Sequence, residues 1–113
     1  MTTFDTGRTA ESVVADYLKR QGLAIVAQNW RTKFCEIDII AQRGNTAYFC
    51  EVKYRKNANQ GTGLDYITPK KLQQMRLAAE TWVHFFNWTG QYELRAIEVS
   101  GPDFQITGVV KDL

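Results

Sequence analysis

The stretch that most limits how this chain can fold runs from Glu36 to Arg55: Glu36-Ile37-Asp38-Ile39-Ile40-Ala41-Gln42-Arg43-Gly44-Asn45-Thr46-Ala47-Tyr48-Phe49-Cys50-Glu51-Val52-Lys53-Tyr54-Arg55. Two runs rich in β-branched and aromatic residues flank Gly44-Asn45, a dipeptide suited to a two-residue hairpin turn. With those two at the centre of the turn, Arg43 faces Thr46. Counting outward, Asp38 then faces Glu51 and Glu36 faces Lys53. Side chains alternate along a strand, so this register puts all four charges on one face of the hairpin, and a slip of one residue would separate them. Directly opposed like charges cost roughly 0.2–1 kcal/mol, and more when partly buried. Ordinary cross-strand salt bridges are the plain reading of such a set. The apolar neighbours Ile37, Ile39, Ile40, Phe49 and Val52 argue instead that both faces are largely buried, which makes idle charge expensive and calls for a compensating cation.

The rest of the chain supplies the frame. Its 113 residues, 44% hydrophobic and 23% charged, suit one domain, 1–113, with one core. No run is long enough to span a bilayer and no signal peptide opens the chain, so a cytoplasmic protein is expected. From Thr9 to Gln21 the residues Ala10, Val13, Val14, Tyr17 and Leu18 recur at helical spacing, and residues 1–8 read as a short arm. Glu11 shares the apolar face of that helix, unless the helix dipole simply favours it there turned to water. Leu23–Ala27 reads as a strand, and the hairpin strands cover about 35–42 and 46–54. Lys56–Gly63 reads as a polar loop. Thr68 is an N-cap and Pro69 the first residue of a helix whose core stripe is Leu72, Met75, Ala79, Trp82, Val83 and Phe86. His84 sits beside the stripe and reads as a surface or hydrogen-bonded histidine. Gln91–Val99 and Phe104–Val110 complete the order αβββαββ, an α/β fold with a central mixed sheet flanked by helices and the second helix as a crossover.

Charge is unevenly spread. Residues 1–52 balance to zero, 53–76 carry Lys53, Arg55, Lys56, Lys70, Lys71 and Arg76 against Asp65 alone, and 77–113 are net acidic. A basic block thus begins where the acidic hairpin ends, as a solvated face or as a surface for phosphates. Cys35 and Cys50 are expected to point away from the carboxylate face, too far out of alignment for a disulfide and buried in reduced form. With one histidine and no Cys-x-x-Cys, a zinc site is not expected.

Asp38, twelve residues, then Glu51-Val52-Lys53 resembles the Asp…(Asp/Glu)-x-Lys core of the restriction-endonuclease-like, or PD-(D/E)XK, superfamily. More narrowly, the chain resembles the YraN-like family of predicted endonucleases, related in fold to the archaeal Holliday junction resolvases. The resemblance rests on Glu11, Gln28-Asn29-Trp30-Arg31, Glu36 to Ala41, Phe49 to Arg55 and Thr68-Pro69-Lys70-Lys71, and covers nearly the whole chain. It departs at Cys35, where the family usually has Gly, and at Cys50, commonly Val. The resemblance implies a restriction-endonuclease-like fold and a DNA endonuclease, with branched or damaged DNA among its candidate substrates. The residues would support metal-assisted phosphodiester hydrolysis: Asp38 and Glu51 as hard oxygen ligands for Mg²⁺ or Mn²⁺, and Lys53 on the attacking water or the developing charge. By resemblance, Glu11 completes the metal shell and the protein acts as a homodimer. Glu36 would hold Lys53 from behind, and Arg55, Lys56, Lys70 and Lys71 would meet backbone phosphates. Two alternatives remain: a nucleic-acid-binding module of the same fold that does not cleave, and a protein whose basic segment docks an acidic partner. If the basic segment meets phosphates, duplex binding will fall with salt at a log–log slope of about −0.9 per contact; a flat dependence in a fluorescence-anisotropy titration would rule that surface out.

Overall fold

The Gly44-Asn45 turn closes as expected. Gly44 takes φ 58°, the positive angle that a glycine-first two-residue turn demands. The hairpin register follows from it, Arg43 facing Thr46 and the pairs continuing to Ile39–Cys50. The structure, a computed structural model, describes residues 2–56 and 66–113. Their elements are α1 (Thr3–Arg20), β1 (Ala24–Arg31), β2 (Glu36–Arg43), β3 (Thr46–Arg55), α2 (Pro69–Phe85), β4 (Gln91–Ser100) and β5 (Gln105–Val110). Of the loop expected over Lys56–Gly63, residues 57–63 lie outside the described residues, as does Asp65 of the charge count.

The strands form one five-stranded sheet in sequence order. Neighbours are antiparallel except β3 and β4, which run parallel, because the connection between them carries α2 as a crossover. The fold is α/β and restriction-endonuclease-like, in the expected order. Helix α1 packs Ala10, Val14 and Leu18 on one face of the sheet, against Ile39, Ala41, Cys50, Ile97 and Val99. Helix α2 packs Met75, Ala78, Ala79 and Trp82 on the other, against Ile37, Ile40, Phe49 and Leu94. Phe49 is fully buried and meets Trp82 and Tyr92 edge-on, with ring centroids 5.5 and 5.9 Å apart. Burial of one such side chain is worth about 1.5–3 kcal/mol. No helix among the described residues is long and apolar enough to cross a membrane.

Three expectations need correcting. Residues 3–8, expected as part of an arm, are helical: α1 begins at Thr3, because Thr2 and Asp5 form a capping box and Asp5 suits the helix dipole. Strand β1 continues past Ala27 through Gln28, Asn29 and Trp30 to Arg31; its polar pair lies within a strand rather than after one. Phe86 is not core but the C-cap of α2, 54% exposed.

Two irregularities shape the sheet next to the carboxylates. Strand β1 carries an extra residue, Val26, between the pairs Ile25–Ala41 and Ala27–Ile40, a bulge that bends an edge strand. Farther along, Asn29 takes φ 53°, a left-handed conformation that Asn tolerates better than most residues. Across from it the alternation of β2 breaks at Asp38. Ile37 and Ile40 both pack on the α2 side, while Ile39 and Ala41 pack on the α1 side.

The hairpin turn is also anchored at its tip. The Asn45 carbonyl accepts from the Gln91 amide at 2.7 Å, and a Cβ on Gly90 would run into that same carbonyl oxygen and the Trp88 ring. Gly90→Ala is therefore expected to destabilise the fold by about 1–3 kcal/mol. Gly7→Ala, in α1 with open space around it, is expected to stabilise by about 0.5–1 kcal/mol. Urea unfolding of the two variants checks both signs.

Candidate active site

The β2–β3 ladder stops at Ile39–Cys50. Beyond it β2 stays paired with β1 as far as Glu36–Arg31, and β3 stays paired with β4 as far as Arg55–Ser100. Asp38 and Glu51 are the first residues past the end of the shared ladder. An Asp38 carboxylate oxygen, Oδ2, takes up the Val52 N–H at 2.7 Å, a side-chain acceptor where a regular sheet would offer a backbone carbonyl. The two acids are thus brought together as the hairpin register implies, but by a side-chain clasp and not by a continued ladder.

Electrostatics at this point are strained. Burial, followed by the Glu51 charge, pushes the Asp38 carboxyl up to about 7, and the Val52 amide only partly offsets this. Glu51 is also raised by burial, against which Lys71 and Lys53 pull downward. Lys71 Nζ lies 3.4 Å from Glu51 Oε2, yet the contact is not aligned as a hydrogen bond, and Oε2 is buried without a hydrogen-bond partner. A buried carboxylate oxygen in that state normally costs about 1–3 kcal/mol or more. Such orphans concentrate where a ligand or ion belongs.

The remaining expected residues fall into separate places. Glu11, on α1, sits in a polar cleft of about 300 Å³ with Arg8, Gln28 and Asn29. Burial raises its carboxyl, and a hydrogen bond from the Asn29 side chain works the other way. It lies beside Asn29 of β1, within electrostatic reach of Asp38 and Glu36. Among the described residues, though, no three His, Cys, Asp or Glu side chains are gathered closely enough to hold a metal ion by themselves. Glu36 does not face Lys53. It pairs with Arg31 of the neighbouring strand at 2.7 Å, because β2 past Ile39 has β1 and not β3 as its partner. Lys53 is exposed, its ammonium 5.8 Å from the Tyr66 ring centroid.

The basic block divides the same way. Lys56 and Lys70 are exposed. Arg55 is not, its guanidinium being held by Glu98 at 2.8 Å with both side chains about nine-tenths buried. That pair keeps Arg55 from offering a free surface charge to a phosphate. Lys71 is turned inward to Glu51. Cys35 and Cys50 are both free but do not share a side of the sheet. Cys50 belongs to the α1-side core, whereas Cys35 packs on the α2 side with the charges of Lys71, Glu51, Asp38 and Glu36 around it. The break in alternation at Asp38 is what turns it there.

Sequence reasoning missed Asn29 and Tyr66. Asn29 had a signal, a polar residue beside Gln28 in an otherwise apolar strand. Tyr66 had none: its phenol oxygen is buried without a hydrogen-bond partner, and burial together with Glu51 and Glu98 raises its pKa.

A family model described as uncharacterised protein family UPF0102 matches residues 10–105. A UPF0102 protein of Vibrio campbellii is 37% identical over 102 residues, covering 86% of this chain and 84% of its own. One from Cytophaga hutchinsonii is 32% identical over 100 residues, 88% of each. One from a Parafrankia species is 43% identical over 77 residues, 68% of this chain and 65% of its own.

The raised Asp38 carboxyl has a consequence for stability. Between the ordinary carboxylate range and about pH 7 the folded chain keeps a proton that the unfolded chain has lost, so stability falls as pH rises through that window. Asp38→Asn keeps an acceptor for the Val52 amide and removes the charge. In metal-free buffer, its stability relative to the natural chain is expected to increase by about 2 kcal/mol on going from about pH 4 to pH 8. Urea unfolding at both pH values measures the difference.

Proposed function

The chain belongs to the UPF0102 family, the YraN-like group of predicted endonucleases, and we propose that it is a divalent-metal-dependent endonuclease that hydrolyses phosphodiester bonds in DNA. The observation that carries this reading is Glu51 Oε2, a buried carboxylate oxygen without a well-aligned hydrogen bond, set beside the half-buried Asp38 carboxylate where two strands part. Mg²⁺ is commonly held by one or two carboxylates while keeping several waters and taking the rest of its shell from phosphate oxygens. Asp38 and Glu51 fit that role for Mg²⁺ or Mn²⁺, with Glu11, within electrostatic reach of Asp38, as a further acid. A bound cation would lower the pKa of its water and neutralise charge on the scissile phosphate.

The chain's own residues have distinct tasks. Asp38 carries two at once, since it holds the Val52 amide and so fixes the start of the Glu51-Val52-Lys53 segment relative to β2. Lys53 follows Glu51 on the same face of β3, is exposed, and can orient a water or offset developing negative charge. Tyr66 lies against that ammonium and limits where it points. Lys56 and Lys70, both exposed, are the backbone-phosphate contacts of this reading. They position the duplex without reading its sequence, in keeping with substrate choice by shape, such as branched DNA.

A second reading, a nucleic-acid-binding module that does not cut, has one observation in its favour: the absence of a three-ligand group among the described residues. Cleavage of a labelled panel (linear duplex, single strand, flap, four-way junction and RNA) with Mg²⁺ or Mn²⁺ separates the two. The endonuclease reading expects metal-dependent cutting that drops by at least about 10²-fold in both Glu51→Ala and Lys53→Ala, each checked for folding. Salt-sensitive binding with no cutting of any substrate would favour the module.

A further inference from the structure

The two lysines that open α2 stand where a helix least favours them. Lys70 and Lys71 follow the Thr68 cap and Pro69, and the first turn holds no acid, so both ammonium groups lie at the positive end of the helix dipole. Lys71 is nonetheless drawn in, its side chain 28% exposed and its Nζ 3.4 Å from Glu51 Oε2. The contact is an ion pair at long range for a hydrogen bond, and it leaves that oxygen without a well-aligned donor. The surroundings stay acidic even so. Glu11 lies within electrostatic reach of Asp38, and Glu36 within reach of both Asp38 and Glu51, while Lys53 is the other cation acting on Glu51.

On the reading of Asp38 and Glu51 as a metal site, we propose that Lys71 is the built-in counter-ion of the metal-free protein, neutralising Glu51 until a divalent cation displaces it. An ammonium and a divalent cation drawn to the same Glu51 carboxylate repel each other, so metal binding favours release of Lys71. Lys71 thereby lowers the affinity of the site for metal and keeps the metal-free fold from carrying an uncompensated buried charge. Once displaced, it joins exposed Lys70 at the positive end of α2, which suits a phosphate. Metal binding and DNA binding are in this way linked through one side chain, and the linkage is reciprocal.

The test is a calorimetric titration of Mn²⁺ into the whole chain without DNA, for the natural protein, Lys71→Met, Lys71→Gln and Arg76→Met, which lies farther along the same helix. Both Lys71 variants are expected to bind Mn²⁺ about tenfold tighter than the natural chain, and Arg76→Met to stay within about twofold. Without metal, Lys71→Met is expected to melt lower than the natural chain, and saturating Mn²⁺ to close the gap; folding of this variant only with Mn²⁺ would be the same result in stronger form. Lys71→Gln keeps a polar tip without the charge, so a shift in both variants separates charge from packing. Equal, measurable affinities in the natural chain and both Lys71 variants would overturn the proposal, as would an equal gain in Arg76→Met. Absence of Mn²⁺ binding in all four would instead overturn the metal-site reading and the proposal with it.

Discussion

The site depends on the hydrogen bond from the Val52 amide to the Asp38 carboxylate. It lies just past the last β2–β3 pair and takes over from the ladder at the point where the two strands exchange partners, β2 staying with β1 and β3 with β4. A backbone donor left unpaired there would be costly. A carboxylate as acceptor solves that problem and creates another, because it fixes a second, half-buried acid beside Glu51. The neighbouring features follow from this tension: the raised Asp38 and Glu51 carboxyls, the inward turn of Lys71, and the unsatisfied Glu51 oxygen. Catalytic sites are often places where a fold tolerates such conflict because a ligand resolves it.

The same exchange of partners distributes the other charges. Glu36 would face Lys53 if the hairpin ran on, but it falls to Arg31 because only β1 remains beside it. Lys53 is thereby left free of a carboxylate across the hairpin and stays exposed. At the far end of β3, where β4 is the neighbour, Arg55 meets Glu98, which also accepts from Thr107 of β5. Buried on nearly all sides, that pair is a bolt between strands. The basic block of the sequence therefore becomes three populations: exposed Lys53, Lys56, Lys70 and Arg76, Lys71 held on the acid pair, and Arg55 inside the sheet.

Two backbone irregularities make room for this. The Val26 bulge and the left-handed Asn29 act on β1 alone, yet the strand beside it changes face at Asp38 opposite Asn29. The turn brings Cys35 and Ile37 to the α2 side and sets Asn29 against Glu11 in the cleft beneath α1. An edge strand can take such distortions because only one neighbour has to follow them.

The parts of this protein decided by its sequence are those that obey local rules. Gly44-Asn45 specified a turn, and the turn set the register as far as Ile39–Cys50, which left Asp38 and Glu51 as the next residues of the two strands. Thr68-Pro69 started α2, and the spacing of apolar residues assigned each helix its buried face. The start of α1 is a local matter too, set by the Thr2–Asp5 capping box and not by the apolar spacing that begins at Ala10. Tertiary structure decided what depends on which strand lies beside which. The termination of a ladder, the loss of alternation at Asp38, the capture of Glu36 by Arg31 and of Arg55 by Glu98, and the turning of Lys71 onto Glu51 have no signature within a few residues of sequence. Each results from competition among charges for partners across the sheet, settled only when all five strands and both helices are in place, because a charge being buried pairs with the nearest opposite charge in space and not in sequence.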